Sequence, residues 1–218
     1  MNIVKRLMKA RGLSSLIFLI ALFFVVGSIN PAFLTPATIA ACFNTSVVYT
    51  LVAVGVAFTL FIGEIDVSVG SNLGLVAAVV GTMLRDGQPL IAVFVVGVVI
   101  GAAIGLINAW GVAVMKAPSL IFTLGVNGIL RGIIYVYTNG AWVENLPKSF
   151  KDFSAVTGVG DLTVYYCAVI ALVVIIHMVL TKTRRGRWFA AVGDNANGAT
   201  LVGIPTLRTK ILAYVLCG

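Results

Sequence analysis

The segment Gly63-Glu64-Ile65-Asp66-Val67-Ser68-Val69-Gly70-Ser71-Asn72 decides how this chain is read. Apolar stretches flank it, Val47–Ile62 before and Leu73–Leu84 after. Two carboxylates next to lipid are costly unless they meet water, protein or an opposite charge. The glycines, Ser71 and Asn72 let the backbone bend or unwind between the two stretches. The plain reading is a short solvated loop at the end of a membrane span. The alternative is a segment that dips into the bundle, as non-helical backbone does where it lines a cavity. The valines and isoleucine in the segment, and its lack of any basic residue, favour the second reading. It points to a solute path or a subunit contact, not to a soluble core.

Composition agrees. Of the 218 residues, 60% are hydrophobic and 10% charged, and the mean hydropathy is +1.10. A soluble chain of this length needs far more polar surface, so the chain reads as an integral membrane protein. The formal net charge of +8 would suit nucleic acid, but the basic residues fall in short clusters beside apolar spans and form no continuous face. Cys42, Cys167 and Cys217 are far apart without ligand spacing and are expected to be buried, inert thiols. His177 has no second candidate ligand nearby and reads as a packing or interfacial residue. No metal site, cofactor or catalytic residue is expected.

A helix needs about 20 apolar residues to cross the hydrocarbon core. Leu13–Ile29, Asn44–Ile62, Val67–Leu84, Leu90–Val114, Ser119–Tyr137 and Leu162–Leu180 qualify, and a seventh span begins at Ile211. Their lengths, and the absence of period-two alternation, favour helices over strands. The predicted fold is all-α: a polytopic transmembrane bundle with six complete spans and the start of a seventh, forming a single domain over residues 1–218. Leu13–Ile29, preceded by basic residues, has the look of a signal peptide. The further spans make it an uncleaved first helix instead.

With the N-terminus in the cytoplasm, the inside collects Lys5, Arg6, Lys9, Arg11, Lys116, Lys182, Arg184, Arg185, Arg187, Arg208 and Lys210. The outside receives Arg85, Lys148 and Lys151, and Arg131 lies within a span. This is the positive-inside bias, and it holds only for an even number of crossings between the two basic ends.

Polar residues inside the spans are the candidate translocation path: Glu64, Asp66, Ser68, Asn72, Asn108, Thr123, Asn127 and Arg131. Thr123, Asn127 and Arg131 are spaced by four and share one drifting helix stripe. Interhelical bonding of Asn127 and snorkelling of Arg131 are the structural alternatives. Gly97, Gly101 and Gly105 mark a close-packing helix face. Residues 181–210 exceed what a crossing requires. Asn195 or Asp194 is placed to cap a two-turn helix over Ala196–Val202, with Gly203 ending it. A short surface helix held between two spans is suited to dock a cytoplasmic partner.

Gly63–Ser71 resembles the G-G-I-D-L-S-V-G-S segment of the ribose-type sugar permeases, membrane subunits of bacterial ABC importers in a group that includes branched-chain amino-acid permeases. Ile121-Phe122-Thr123-Leu124-Gly125, Leu130-Arg131-Gly132 and Tyr137-Thr138-Asn139-Gly140 resemble a further family stretch. Gly186-Arg187 through Gly193, Asn195 and Ala199 to Gly203-Ile204 resembles the cytoplasmic coupling loop. The resemblance implies that Arg187, Gly193, Asn195, Ala199, Gly203 and Ile204 serve ATPase coupling. It implies two permease subunits forming the channel, a cytoplasmic ATPase and a periplasmic sugar-binding protein, in the bacterial inner membrane. Members of the family are longer, so the chain is expected to be C-terminally incomplete. Glu64 stands where the motif has a second glycine, Asp194 where the loop commonly has glycine, and Gly198 where it commonly has alanine. The sequence carries no G-x-x-x-x-G-K-[ST] phosphate loop, so ATP use falls to a partner. The expected cargo is a monosaccharide; a branched-chain amino acid and a partner-independent channel are the alternatives. A membrane enzyme using Glu64 and Asp66 is disfavoured, since residues two apart do not share a helix face.

Overall fold

Apolar helices form at each predicted span. The structure, a computed structural model, describes residues 13–218; the basic cluster Lys5, Arg6, Lys9 and Arg11 lies outside the described residues. Helix α1 is Leu13–Ile29. A one-turn 3-10 segment, Pro31–Leu34, leads into α2, Pro36–Phe61. Then come α3, Val69–Arg85, α4, Leu90–Ala109, and α5, Ser119–Thr138. A π-helical turn, Trp110–Val114, extends α4. Helices α2, α4 with its π turn, α5 and α7 (Val164–Lys182) are long and apolar enough to cross a membrane. Helices α1 and α3 are apolar and have 17 residues each, or roughly 26 Å at 1.5 Å per residue. Residues 64–67, without regular structure, lead into α3.

Several boundaries differ from expectation, the first being that α2 begins at Pro36, ahead of the expected Asn44. Between α5 and α7 lie α6, Lys148–Ser154, and a hairpin of β1, Thr157–Val159, with β2, Leu162–Thr163, so the helix expected from Leu162 starts at Val164. The strands pair antiparallel, Thr157 with Thr163 and Val159 with Leu162. Asn44 of α2 pins this hairpin, accepting from Thr163 N (2.8 Å) and donating to Asp161 O (3.0 Å). The segment 181–210 contains two helices, not one: α8, Arg184–Asp194, and α9, Ala196–Leu201. Helix α10 starts at Thr206, five residues before the apolar run at Ile211, and extends to Cys217. Its first turn is polar, and Pro205 precedes it. The thiols also differ from expectation: Cys42 is exposed on α2, and Cys167 and Cys217 are half-buried.

The surface is apolar, with Ile91 81% and Phe94 73% exposed, as lipid-facing helices require. The principal core lies at one end. Phe58 and Ile62 of the α2 terminus meet Val112, Leu180, Phe189, Val192, Ala213 and Tyr214 there. A second cluster, Leu75, Ile104, Val126 and Leu130, joins α3, α4 and α5. Helix α10 packs between α4 and α2. A Cβ on Gly105 would lie 2.4 Å from Tyr214 O, so the Gly101/Gly105 face of α4 admits the α10 backbone. Gly97 instead faces Val76 and Val80 of α3.

Candidate functional site

Helix α2 ends in a Schellman closure. Gly63 N donates to Leu60 O (3.0 Å) and Glu64 N to Thr59 O (3.0 Å). Gly63 takes φ +76°, which a side chain there would strain. The chain then runs without regular structure through residues 64–67, and the solvated-loop reading fails at Asp66, which is buried. Asp66 Oδ1 accepts from Ser68 N (2.9 Å) and Ser68 Oγ (2.7 Å), and Oδ2 accepts from Asn108 Nδ2 (3.1 Å). The same Asn108 amide donates to Ser68 Oγ at 2.7 Å. A buried carboxylate is tolerable when it is hydrogen-bonded in this way. Its partners come from the start of α3 and the end of α4, so the knot ties those elements together.

Helix α5 supplies the other wall. Ser119 Oγ accepts from Ile65 N (3.3 Å) and Thr123 Oγ1 from Val67 N (3.1 Å). One turn further along, Ser71 Oγ donates to Asn127 Oδ1. Asn72 Nδ2 donates to Gly218 O at 3.1 Å. Of the eight predicted path residues, Asp66, Ser68, Asn72, Asn108 and Thr123 are buried and Asn127 half-buried. Arg131 is exposed and stands apart from this group. Glu64 faces another way: its Oε1 lies 2.6 Å from Lys210 Nζ at the start of α10.

The α8–α9 pair covers the same end of the bundle. Thr183 caps α8, accepting from Gly186 N (3.0 Å). Phe189 and Val192 are buried beneath it, with Phe189 tilted against Phe58 of α2 (centroids 5.6 Å apart). Gly193 sits so close to α2 that a Cβ there would be 2.1 Å from Phe61 O. Asn195 caps α9 as expected, its Oδ1 accepting from Gly198 N (2.9 Å). Gly203, at φ +80°, closes that helix: Gly203 N donates to Thr200 O and Ile204 N to Ala199 O, both 3.0 Å. Ala199 is buried, Ile204 half-buried, and Arg187 exposed with its guanidinium on Lys182 O (3.3 Å). Between α9 and the island lies a 510 Å³ cleft whose polar lining includes Glu64, Lys116, Ser119, Thr200, Thr206 and Lys210.

Sequence reasoning missed Ser119 and Lys210. Ser119 had a local signal, a hydroxyl directly after Pro118 at a helix start. Lys210 had none, because its partner is 146 positions away. Among the described residues no group of three or more His, Cys, Asp or Glu is placed to hold a metal ion.

The chain resembles known proteins over almost its whole length. It is 38% identical over 215 residues to the autoinducer 2 import system permease protein LsrC of Enterobacter sp. (strain 638), covering 99% of this chain and 62% of that protein. The LsrC of Klebsiella pneumoniae is 37% identical with the same coverage, and that of Salmonella typhi 33% identical over 220 residues, again covering 99% and 62%. The chain thus spans about three-fifths of the length of these curated relatives. No solved structure matches it. A model of the branched-chain amino acid transport system / permease component family matches residues 38–218. With the polar island and the surface helix pair both inside that match, the chain belongs to this permease family.

Proposed function

We propose that this protein is the membrane-spanning permease subunit of an ATP-driven importer in the bacterial inner membrane, with its N-terminus in the cytoplasm. Its cargo is a small solute of monosaccharide type, autoinducer 2 being the one its relatives are named for. Asn72 Oδ1, which has no hydrogen-bond partner among the described residues, is a neutral acceptor that suits a hydroxyl-rich solute better than a zwitterionic amino acid. The carboxylates in this region are engaged within the protein, Asp66 by three hydrogen bonds and Glu64 by Lys210.

In this reading residues 1–218 belong to one permease domain, and residues 181–210 are its coupling segment. Asp66, Ser68, Asn108 and Thr123 brace the path rather than line it, Asn72 and Asn127 face it, and Arg131 stands toward its outer end. A separate cytoplasmic ATPase docks on α8–α9. A second permease subunit completes the channel, and a periplasmic binding protein delivers solute. The permease itself performs no hydrolysis.

The observation that carries the proposal is the seating of α8 on the α2 terminus, with Gly193 against Phe61 immediately before the polar island. Movement of a partner on α8 thereby reaches Gly63–Ser68 through backbone contact. Gly193→Val tests it. The added side chain lifts α8 from α2, so ATPase retained on the affinity-purified permease should fall, while the exposed-face change Thr200→Ser leaves it. Equal ATPase retention by Gly193→Val and the unaltered protein refutes the docking role.

A further inference from the structure

Among the described residues, the Glu64–Lys210 pair is the one ion pair in that cleft wall, and it joins two separate elements. Glu64 follows the left-handed Gly63 turn, which itself abuts the Gly193 carbonyl at the end of α8. Lys210 lies on the first turns of α10, the helix that the α9 segment leads into. The two side chains are 2.6 Å apart and only 16% and 24% exposed. That places the pair beyond the usual weakness of a surface salt bridge, because water screens it poorly. A closed circuit results: α8 touches the Gly63 turn by backbone, the turn holds α10 by charge, and α10 returns through Pro205 and Gly203 to α9. The ion pair is the charged side of that circuit, beside the apolar packing of Ala213 and Tyr214 against Ile62, Phe189 and Val192.

We infer that Glu64 and Lys210 are positioning residues for coupling: their ion pair makes the island and α10 move together when α8–α9 is displaced. The inference rests on the importer reading above and deepens it. With the pair broken, the Glu64 end of the island follows α10 only through apolar packing and the distant Asn72–Gly218 bond, so a shift of the surface helices reaches the two unevenly. Solute-driven stimulation of the ATPase then fails, even where the subunits remain assembled.

The test uses the importer complex containing this permease in proteoliposomes, comparing the unaltered protein with Lys210→Met, Glu64→Gln and the reciprocal exchange Glu64→Lys/Lys210→Glu. The readouts are ATPase retained per permease, and the stimulation of hydrolysis by solute-loaded binding protein. A coupling free energy in the usual range predicts that each single change lowers stimulation about fivefold or more at equal ATPase retention. The reciprocal exchange should recover at least half of it. Singles that match the unaltered complex overturn the inference, and so does an exchange that recovers nothing. A variant that fails to assemble is judged by the exchange alone: restored stimulation supports the pair, and its absence overturns it. If the unaltered permease retains no ATPase at all, the importer reading fails, and that result is distinct from every outcome above.

Discussion

The close approach of α10 to α4 makes Gly105→Ala the most informative single substitution. A Cβ at Gly105 would stand 2.4 Å from Tyr214 O, 2.9 Å from Val215 Cα and 3.0 Å from Tyr214 C, whereas ordinary van der Waals separation begins at 3.4 Å. All three neighbours are backbone, so no side chain can swing aside. Helix α10 must retreat by about 1 Å, and on its other side it is packed against α2, where Gly55 lies beside Cys217 O. Overpacking of this kind costs about 1–3 kcal/mol, and a gap of that width forfeits a quarter to a half of the dispersion attraction between the atoms it separates. We expect a destabilisation of about 2 kcal/mol, up to roughly a thirtyfold change in the folded ratio. The reference is Gly132→Ala on α5, where an added Cβ meets nothing within 4 Å. That change removes a glycine from a helix interior and should be neutral or stabilising by up to ~1 kcal/mol. Both proteins are titrated with sodium dodecyl sulfate in mixed micelles and followed by far-ultraviolet circular dichroism. Equal midpoints for Gly105→Ala and the unaltered protein would refute the α4–α10 seam.

Other substitutions probe the rest of the bundle. Asp66→Asn keeps one acceptor for Ser68 but sets an amide N–H₂ against the Asn108 N–H₂, so the same titration should register a loss of about 1–3 kcal/mol; Asp66→Glu should also destabilise, because its longer side chain overfills a buried site. Asn195→Ala removes the acceptor for Gly198 N and should cost α9 about 1 kcal/mol, read as faster amide exchange confined to residues 196–201. Single cysteines replacing Trp142 and Asn197, both exposed, in a protein whose Cys42, Cys167 and Cys217 are changed to serine, fall at opposite ends of the bundle. In intact cells an impermeant maleimide should label the first and spare the second; labelling of both from outside would break the proposed orientation.

The spans were legible because lipid imposes length and composition together, and caps punctuate them. Asn195, Gly203 and Gly63 act at the helix ends as their residue types predict. Asn139, at φ 52°, ends α5 in the left-handed conformation that asparagine tolerates better than most residues. The small residues of α4 announced a close helix neighbour, but not which one, since a glycine face says only that something approaches. The start of α10 is hidden from hydropathy because its first turn, Thr206-Leu207-Arg208-Thr209-Lys210, is polar, and hydropathy marks where lipid begins rather than where a helix begins. Helix α8 is hidden for the same reason: its buried residues are few, Gly186, Phe189 and Val192, among exposed arginines.

The polar island shows where pattern reading stops. The types of residue needed to bury a carboxylate are all visible in the sequence, yet their grouping depends on pairs 40 to 58 positions apart, from Asn108 to Ser68 and from Thr123 to Ile65. Period and propensity carry no information at that range. What decides the matter is energetic: a buried carboxylate is costly without hydrogen-bond donors, and the donors within reach of Asp66 are Ser68 and Asn108. The same reasoning separates Glu64 from Asp66. Two positions apart on a backbone without helical structure, they point to different sides, so one is enclosed by neutral donors and the other must find a cation. Lys210 is that cation, and Glu64 thereby ties the polar island to α10, the helix that follows α8 and α9.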